Sequence, residues 1–88
     1  TALAETFFQQ ARKLMADGQI AEACERFEQS MDADPALGTL MNLAACREKA
    51  GHKDSACHLF SLALDWAKKS KSQERERFLS DRLKGLGC

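Results

Sequence analysis

The sequence has 88 residues, enough for one small domain that leaves much of its surface in contact with water. Hydrophobic residues make up 44% of the chain and charged residues 30%, a balance that favours a folded, soluble chain over a disordered one. No apolar run approaches the roughly 18 residues that a membrane-spanning helix needs, so we expect no insertion into a bilayer.

The net charge of zero is unevenly distributed along the chain. Residues 1–65 carry 6 Lys or Arg and 10 Asp or Glu, whereas residues 66–88 carry 7 and 3. The basic tail could attract an anionic partner, but exposed charges of this kind usually face only solvent. Within 68–78 glutamates alternate with arginines and Phe78 is the single aromatic residue, so we expect no nucleic-acid-binding platform.

Apolar residues recur at three- and four-residue steps in five segments, each of which predicts an amphipathic helix. These segments are 2–17, 20–33, 37–50, 54–69 and 73–84. Gly18 and Gly51 are expected to end the first and third helices, because glycine readily takes the left-handed conformation of a helix C-cap. Asp34 and Pro35 end the second, since proline disfavours helix at the preceding residue.

The fifth segment is predicted to have an apolar side formed by Phe78, Leu79 and Leu83. Gly85 and Gly87 are both expected to terminate this helix.

The sequence matches itself at an offset of 33 residues. The coinciding residues are Ala11 with Ala44, Gly18 with Gly51, Ala23 with Ala56, and Phe27 with Phe60. A period of about 33–34 residues with a repeated Ala-x-x-x-Phe element is typical of stacked helical hairpins.

These units resemble the tetratricopeptide repeat family. Residues 4–36 align with one repeat that ends in the family's Asp-Pro, at Asp34 and Pro35, and residues 37–70 align with a second. The resemblance implies an all-α fold: an α-solenoid of two helix-turn-helix repeats with a capping helix at 71–86, five helices in a single domain spanning 1–88.

A narrower similarity links the chain to short repeat proteins of deltaproteobacteria such as myxobacteria. It rests on the pattern G-x-x-x-E-A-C-x-x-F from Gly18 to Phe27 and on D-P-x-x-G-T-L-x-N-L-A-x-C from Asp34 to Cys46. Because those proteins are often exported or attached to the cell envelope, this similarity implies a periplasmic or extracytoplasmic location rather than a cytoplasmic one.

Four cysteines allow 3 pairings. In the arrangement that the resemblance implies, the helix faces that carry Cys24 and Cys46 meet, and a disulfide between them is expected. The alternative is a pair of reduced thiols buried as small apolar side chains. Cys57 can pair with Cys88 only if the end of the chain folds back; otherwise Cys88 is a free thiol able to link two chains.

In the tetratricopeptide repeat family the first helix of each hairpin lines a concave binding face. The resemblance assigns partner-binding residues to that face, namely Glu5, Phe8, Arg12, Met15, Met41, Asn42 and Glu48. Phe8 and the two methionines would give a groove a mouldable apolar lining suited to a helix or an extended peptide. The alternative is that these three side chains complete a small core. The implied function is a non-catalytic module that binds a peptide or protein segment.

Other classes of function find little support in the sequence. There is no glycine-rich phosphate loop, no H-E-x-x-H motif and no nucleophile elbow, so we expect neither an enzyme nor a cofactor. Cys46, His52, Cys57 and His58 do not have the spacing of zinc ligands, so we expect no metal. The alternative function is a structural or assembly element that forms homo-oligomers through exposed helical ends, because a stack usually needs about three repeats for stability.

Overall fold

The computed structural model describes all residues, 1–88, and every regular element in it is a helix. The helices are α1 (Ala2–Ala16), α2 (Ile20–Ala33), α3 (Leu37–Lys49), α4 (Lys53–Lys69) and α5 (Gln73–Leu86). The prediction of an all-α chain with five helices is therefore confirmed, and the expected ends shift by only one or two residues. None of the helices combines the length and the apolar character needed to cross a membrane.

The turns after α1 and α3 have the same construction. Each contains a left-handed glycine, Gly18 with φ 81° and Gly51 with φ 85°. In the first turn the N–H of Gln19 donates to the carbonyl of Leu14 at 2.9 Å, and the equivalent hydrogen bond follows Gly51. This arrangement satisfies the last carbonyls of the helix and reverses the chain, so each turn is followed at once by an antiparallel partner helix.

The end of α5 differs from the prediction. Gly85 does not end the helix, which continues through it to Leu86, and Gly87 makes the left-handed turn with φ 75°. The N–H of Cys88 then donates to the carbonyl of Leu83 at 3.1 Å. The last residue is thereby turned back toward α4.

Each helix packs on the next one in the chain, from α1 on α2 to α4 on α5. The buried apolar residues form two clusters, one around Phe27 that joins α1, α2 and α3, and one around Phe60 that joins α3, α4 and α5. Alanines lie in the core between neighbouring helices, and Ala11, Ala23, Ala44 and Ala56 are all fully buried. Larger side chains at these positions would clash, so these alanines allow neighbouring helices to approach closely.

The apolar side of α5 is narrower than predicted. Leu79 is fully buried and Leu83 partly buried, but Phe78 is 51% exposed. Adjacent residues of a helix point about 100° apart, and α5 packs closely on α4 alone, so the buried stripe that contains Leu79 does not extend to Phe78. Phe78 instead lies at the surface beside α3.

The cysteines form two pairs at disulfide distance. Cys24 on α2 is joined to Cys46 on α3, with Cα atoms 5.6 Å apart, which confirms the expected pairing. Cys57 on α4 is joined to Cys88, with Cα atoms 5.8 Å apart, because the turn at Gly87 folds the end of the chain back. No cysteine remains free.

Candidate interaction face

A shallow groove with a volume of about 260 Å³ lies between α1 and α3. Its walls are formed by Ala4, Glu5 and Phe8 of α1 and by Gly38, Thr39 and Asn42 of α3. Ser30 of α2 also lines it, and its Oγ donates a hydrogen bond of 2.8 Å to the carbonyl of Ala4. This bond ties α2 to α1 beneath the groove.

A second opening lies between α3 and α5 and consists of two adjoining pockets of about 230 and 350 Å³. Met41 and Phe78 line both pockets, while Arg82 lines only the first and Arg75 only the second. Arg75, Phe78 and Arg82 follow at steps of three and four residues and so share one face of α5. Each pocket thus combines the same two apolar side chains with one arginine.

The two helices that border this opening run in the same direction. At one end Arg75 lies over α3. The Nη2 atom of Arg75 would be 3.9 Å from a Cβ atom added at Gly38. At the other end Arg82 forms an ion pair with Glu48. Asn42 lines both the groove between α1 and α3 and the first pocket between α3 and α5, so the openings adjoin. We call this continuous surface the α1/α3/α5 face.

Four of the residues assigned to partner binding line this face. They are Glu5, Phe8, Met41 and Asn42. The Oε1 atom of Glu5 accepts a hydrogen bond of 2.9 Å from Gln9, and the Nδ2 atom of Asn42 donates one of 2.8 Å to the carbonyl of Gly38. Each bond joins two residues of the same helix. Both side chains are therefore held in place without a hydrogen bond to another helix.

The other three assigned residues do not line the openings. Arg12 is exposed on α1 outside the groove. Met15 packs on the core around Phe27, and its Sδ lies 3.5 Å from the Sγ of Cys46. Glu48 is partly buried in its ion pair with Arg82.

The contribution of α5 to the face was not anticipated from the sequence. The sequence pattern predicts Phe78 on the apolar side of α5, together with Leu79 and Leu83, and predicts no binding role for Arg75 or Arg82. The i, i+3, i+7 spacing of these three residues matches that of Gly38, Met41 and Ala45 on α3. This shared spacing is the signal that could have placed the two stripes opposite each other.

A larger cavity of about 560 Å³ lies elsewhere, between α2 and the last turns of α3. Ile20, Ala21, Cys24 and Ala50 form its apolar part, and Arg47 and Glu28 are paired at 2.6 Å on its lining. The Nε atom of Arg47 is buried without a hydrogen-bond partner. None of the seven residues assigned to partner binding lines this cavity.

No three His, Cys, Asp or Glu side chains come close enough together to hold a metal ion. In comparison with known proteins, the chain matches no family model, and no curated protein or solved structure is significantly similar to it.

Proposed function

We propose that the chain is a non-catalytic interaction module that binds a peptide or protein segment on the α1/α3/α5 face. One observation carries this proposal: four residues assigned to binding from the sequence line adjoining openings on one face. That face also presents apolar side chains at the surface, namely Phe8 in the groove and Met41 and Phe78 in the pockets.

The size of the openings favours a peptide over an enclosed small molecule. Cavities that bury a drug-sized ligand usually measure about 300–1,000 Å³. The groove and the smaller pocket, at about 260 and 230 Å³, fall below that range, the other pocket lies near its lower limit at about 350 Å³, and all three are open to solvent. A peptide can place one side chain in each opening and cross between them at Asn42, while Met41 adapts its unbranched chain to different shapes.

We further propose that the fold is a tetratricopeptide-type stack of two repeats with α5 as its cap. The identical turns at Gly18 and Gly51 support it, as do the equivalent buried positions of Phe27 and Phe60. The side of α5 that faces away from α3 carries only polar residues, as expected of a terminal cap. These residues are Gln73, Glu76, Arg77, Ser80, Asp81 and Lys84.

We also propose a periplasmic or extracytoplasmic location. Disulfides persist in oxidising compartments and are rare in the cytosol, and both cysteine pairs lie at bonding distance. Alkylating the protein in its native extract without reductant, followed by intact mass measurement, should add no label. Four labels per chain would indicate reduced thiols and count against this location.

The binding proposal can be tested with peptides selected from a random displayed library against the oxidised chain. We expect Met41→Ala and Glu5→Ala each to weaken binding of a selected peptide by about threefold to tenfold in fluorescence anisotropy. The matched controls are Leu62→Ala, an exposed apolar residue on α4, and Glu25→Ala, an exposed acidic residue on α2. The proposal fails if the controls weaken binding and the face variants do not.

Self-association is a second candidate function, favoured by two apolar side chains at the surface. Leu3 on α1 is 60% exposed and Leu62 on α4 is 44% exposed. Contact between such residues on two copies would remove apolar area from water. Light scattering over a range of concentrations tests this function: an oligomer that Leu3→Lys dissociates supports it, and a monomer at all concentrations excludes it.

A further inference from the structure

The two disulfides differ sharply in their access to solvent. Cys46 is 0% exposed and Cys24 is 6% exposed, so the bridge between α2 and α3 is almost entirely enclosed, and only Cys24 borders the cavity beside α2. Cys57 is only partly buried and Cys88 is exposed. Since a thiol–disulfide exchange requires direct attack on a sulfur atom, an attacking thiolate can reach the second bridge without any opening of the core.

The exposed bridge also has a particular position in the fold. It joins the second turn of α4 to the second residue after α5, at a sequence separation of 31 residues. The other ends of the same two helices are connected by the turn at 70–72. The hairpin of α4 and α5 is therefore tied at both ends, by the backbone at one and by the disulfide at the other.

α5 packs closely on α4 alone, where Leu83 and Leu86 lie partly buried against the cluster around Phe60. Its only fully buried side chain is Leu79, which packs in the cluster around Phe60. Arg82 adds an ion pair with Glu48 and lies over the ring of Phe60, 5.5 Å from its centroid. Because α5 packs closely on one neighbour only, the covalent tether to α4 adds directly to the contacts that hold it.

A positive charge lies beside the bridge. A Cβ added at Gly87 would be 3.6 Å from the Nζ atom of Lys53, so this ammonium group lies next to the residue that precedes Cys88. Lys53 also precedes Cys57 by four residues, one turn of α4, so its charge lies on the side of the sulfur that leaves in exchange. A nearby cation stabilises that thiolate and so favours its departure.

We propose that the Cys57–Cys88 disulfide is a thiol–disulfide exchange site that a dithiol reduces ahead of Cys24–Cys46, and that its opening releases α5 from α4. The thiolate of the dithiol attacks the Sγ of Cys88, a mixed disulfide forms, and Cys57 leaves as a thiolate that takes up a proton. The second thiol of the dithiol then attacks the mixed disulfide and frees Cys88. Two electrons pass to the cysteine pair, and the dithiol becomes a disulfide.

Release of α5 changes the α1/α3/α5 face directly. Phe78, Arg75 and Arg82 leave the pockets beside Met41, and the ring of Phe60 loses its cover. The groove between α1 and α3 should not change, because the buried bridge joins α2 to α3 and α1 packs on α2. Reduction of the disulfide would thus remove the pockets between α3 and α5 and leave the groove between α1 and α3.

The first test follows the reduction of each pair. The oxidised chain is treated with dithiothreitol, quenched at intervals with N-ethylmaleimide, digested and examined by mass spectrometry. We expect Cys57 and Cys88 to be labelled at least about tenfold sooner than Cys24 and Cys46. Equal rates, or earlier labelling of Cys24 and Cys46, would overturn the proposal.

The second test measures the release of α5 by hydrogen exchange in a Cys57→Ser/Cys88→Ser variant. We expect amides of Gln73–Leu86 to exchange on the order of 10²-fold faster than in the oxidised chain, because the variant loses the constraint that the disulfide places on the loop. The exchange rates of amides in α1, α2 and α3 should change little. Unchanged exchange in α5 would show that the bridge does not hold it. A chain that exchanges faster throughout would show a general loss of stability and would equally overturn the release of α5 alone.

A matched pair of variants tests whether Lys53 speeds the reduction of the Cys57–Cys88 disulfide. Lys53→Gln should slow the reduction of Cys57–Cys88 by about threefold, the effect of one exposed charge. Lys69→Gln, at the opposite end of α4, should leave the rate unchanged. Equal rates in the two variants would remove Lys53 from the exchange site.

Discussion

The ring of Phe8 meets the ring of Phe27 edge to face, with the two centroids 5.6 Å apart. Phe27 is a central residue of the core, whereas Phe8 is partly exposed and lines the groove between α1 and α3. The two interpretations left open by the sequence, a core residue or a groove residue, therefore both describe Phe8. Its inner edge packs on the core and its outer edge faces the groove.

Because Phe8 packs on the core, replacing it by alanine should destabilise the chain more than replacing Phe78. Phe8→Ala should lower the free energy of unfolding by about 2 kcal/mol, since it removes the aromatic contact and part of the buried surface. Phe78→Ala should change it by less than about 0.5 kcal/mol, because that ring is half exposed. Guanidinium denaturation followed by circular dichroism measures both. Equal losses would contradict the packing described for Phe8.

The hydrogen bond from Ser30 to the carbonyl of Ala4 connects α2 with α1 in a buried position. Ser30→Ala should cost about 1 kcal/mol of unfolding free energy, the usual contribution of such a bond. Ser61→Ala, on the exposed side of α4, is the matched control and should be neutral within about 0.5 kcal/mol. A neutral Ser30→Ala would mean that water satisfies the site equally well.

Arg82 makes two contacts across helices, and Glu48 takes part in only one of them. Arg82→Met should cost about 1–2 kcal/mol, because it removes both the ion pair with Glu48 and the charge over the ring of Phe60. Glu48→Gln should cost about 0.5 kcal/mol, because Arg82 keeps its contact with the ring. Both values come from denaturant titrations at moderate salt. A larger loss for Glu48→Gln would contradict this order.

Two glycines should respond in opposite directions to the same substitution. Gly51→Ala should destabilise the chain by about 1 kcal/mol, because its φ of 85° places a Cβ in the unfavourable left-handed region. Gly85→Ala should stabilise it by about 0.5–1 kcal/mol, because this residue lies within α5 with open space around it. Thermal unfolding distinguishes the two. A stabilising Gly51→Ala would argue against the left-handed turn.

The helices and their close contacts could be predicted from the sequence because their determinants are local. Gly18 and Gly51 end helices through their own backbone freedom, and the alanines at Ala11 and Ala44 mark close contacts through their size and their spacing. These features repeat, so each copy supports the interpretation of the other.

The remaining features depend on relations between distant segments. Phe78 and Leu79 are both apolar and adjacent, and periodicity alone could not decide which of them faces the core. The ion pair of Arg82 with Glu48 requires two helices to run side by side in a particular register. The Cys57–Cys88 bridge depends on which of two nearby glycines makes the final turn. No local sequence pattern predicts any of these relations.

Binding on the α1/α3/α5 face is tested most directly by a titration of the isotope-labelled, oxidised chain with a selected peptide, followed by amide chemical shifts. We expect the largest shifts at Glu5, Phe8, Met41 and Asn42, with smaller ones around Phe78. Shifts that cluster instead around Ile20 and Arg47 would move the site to the cavity between α2 and α3 and contradict binding on this face.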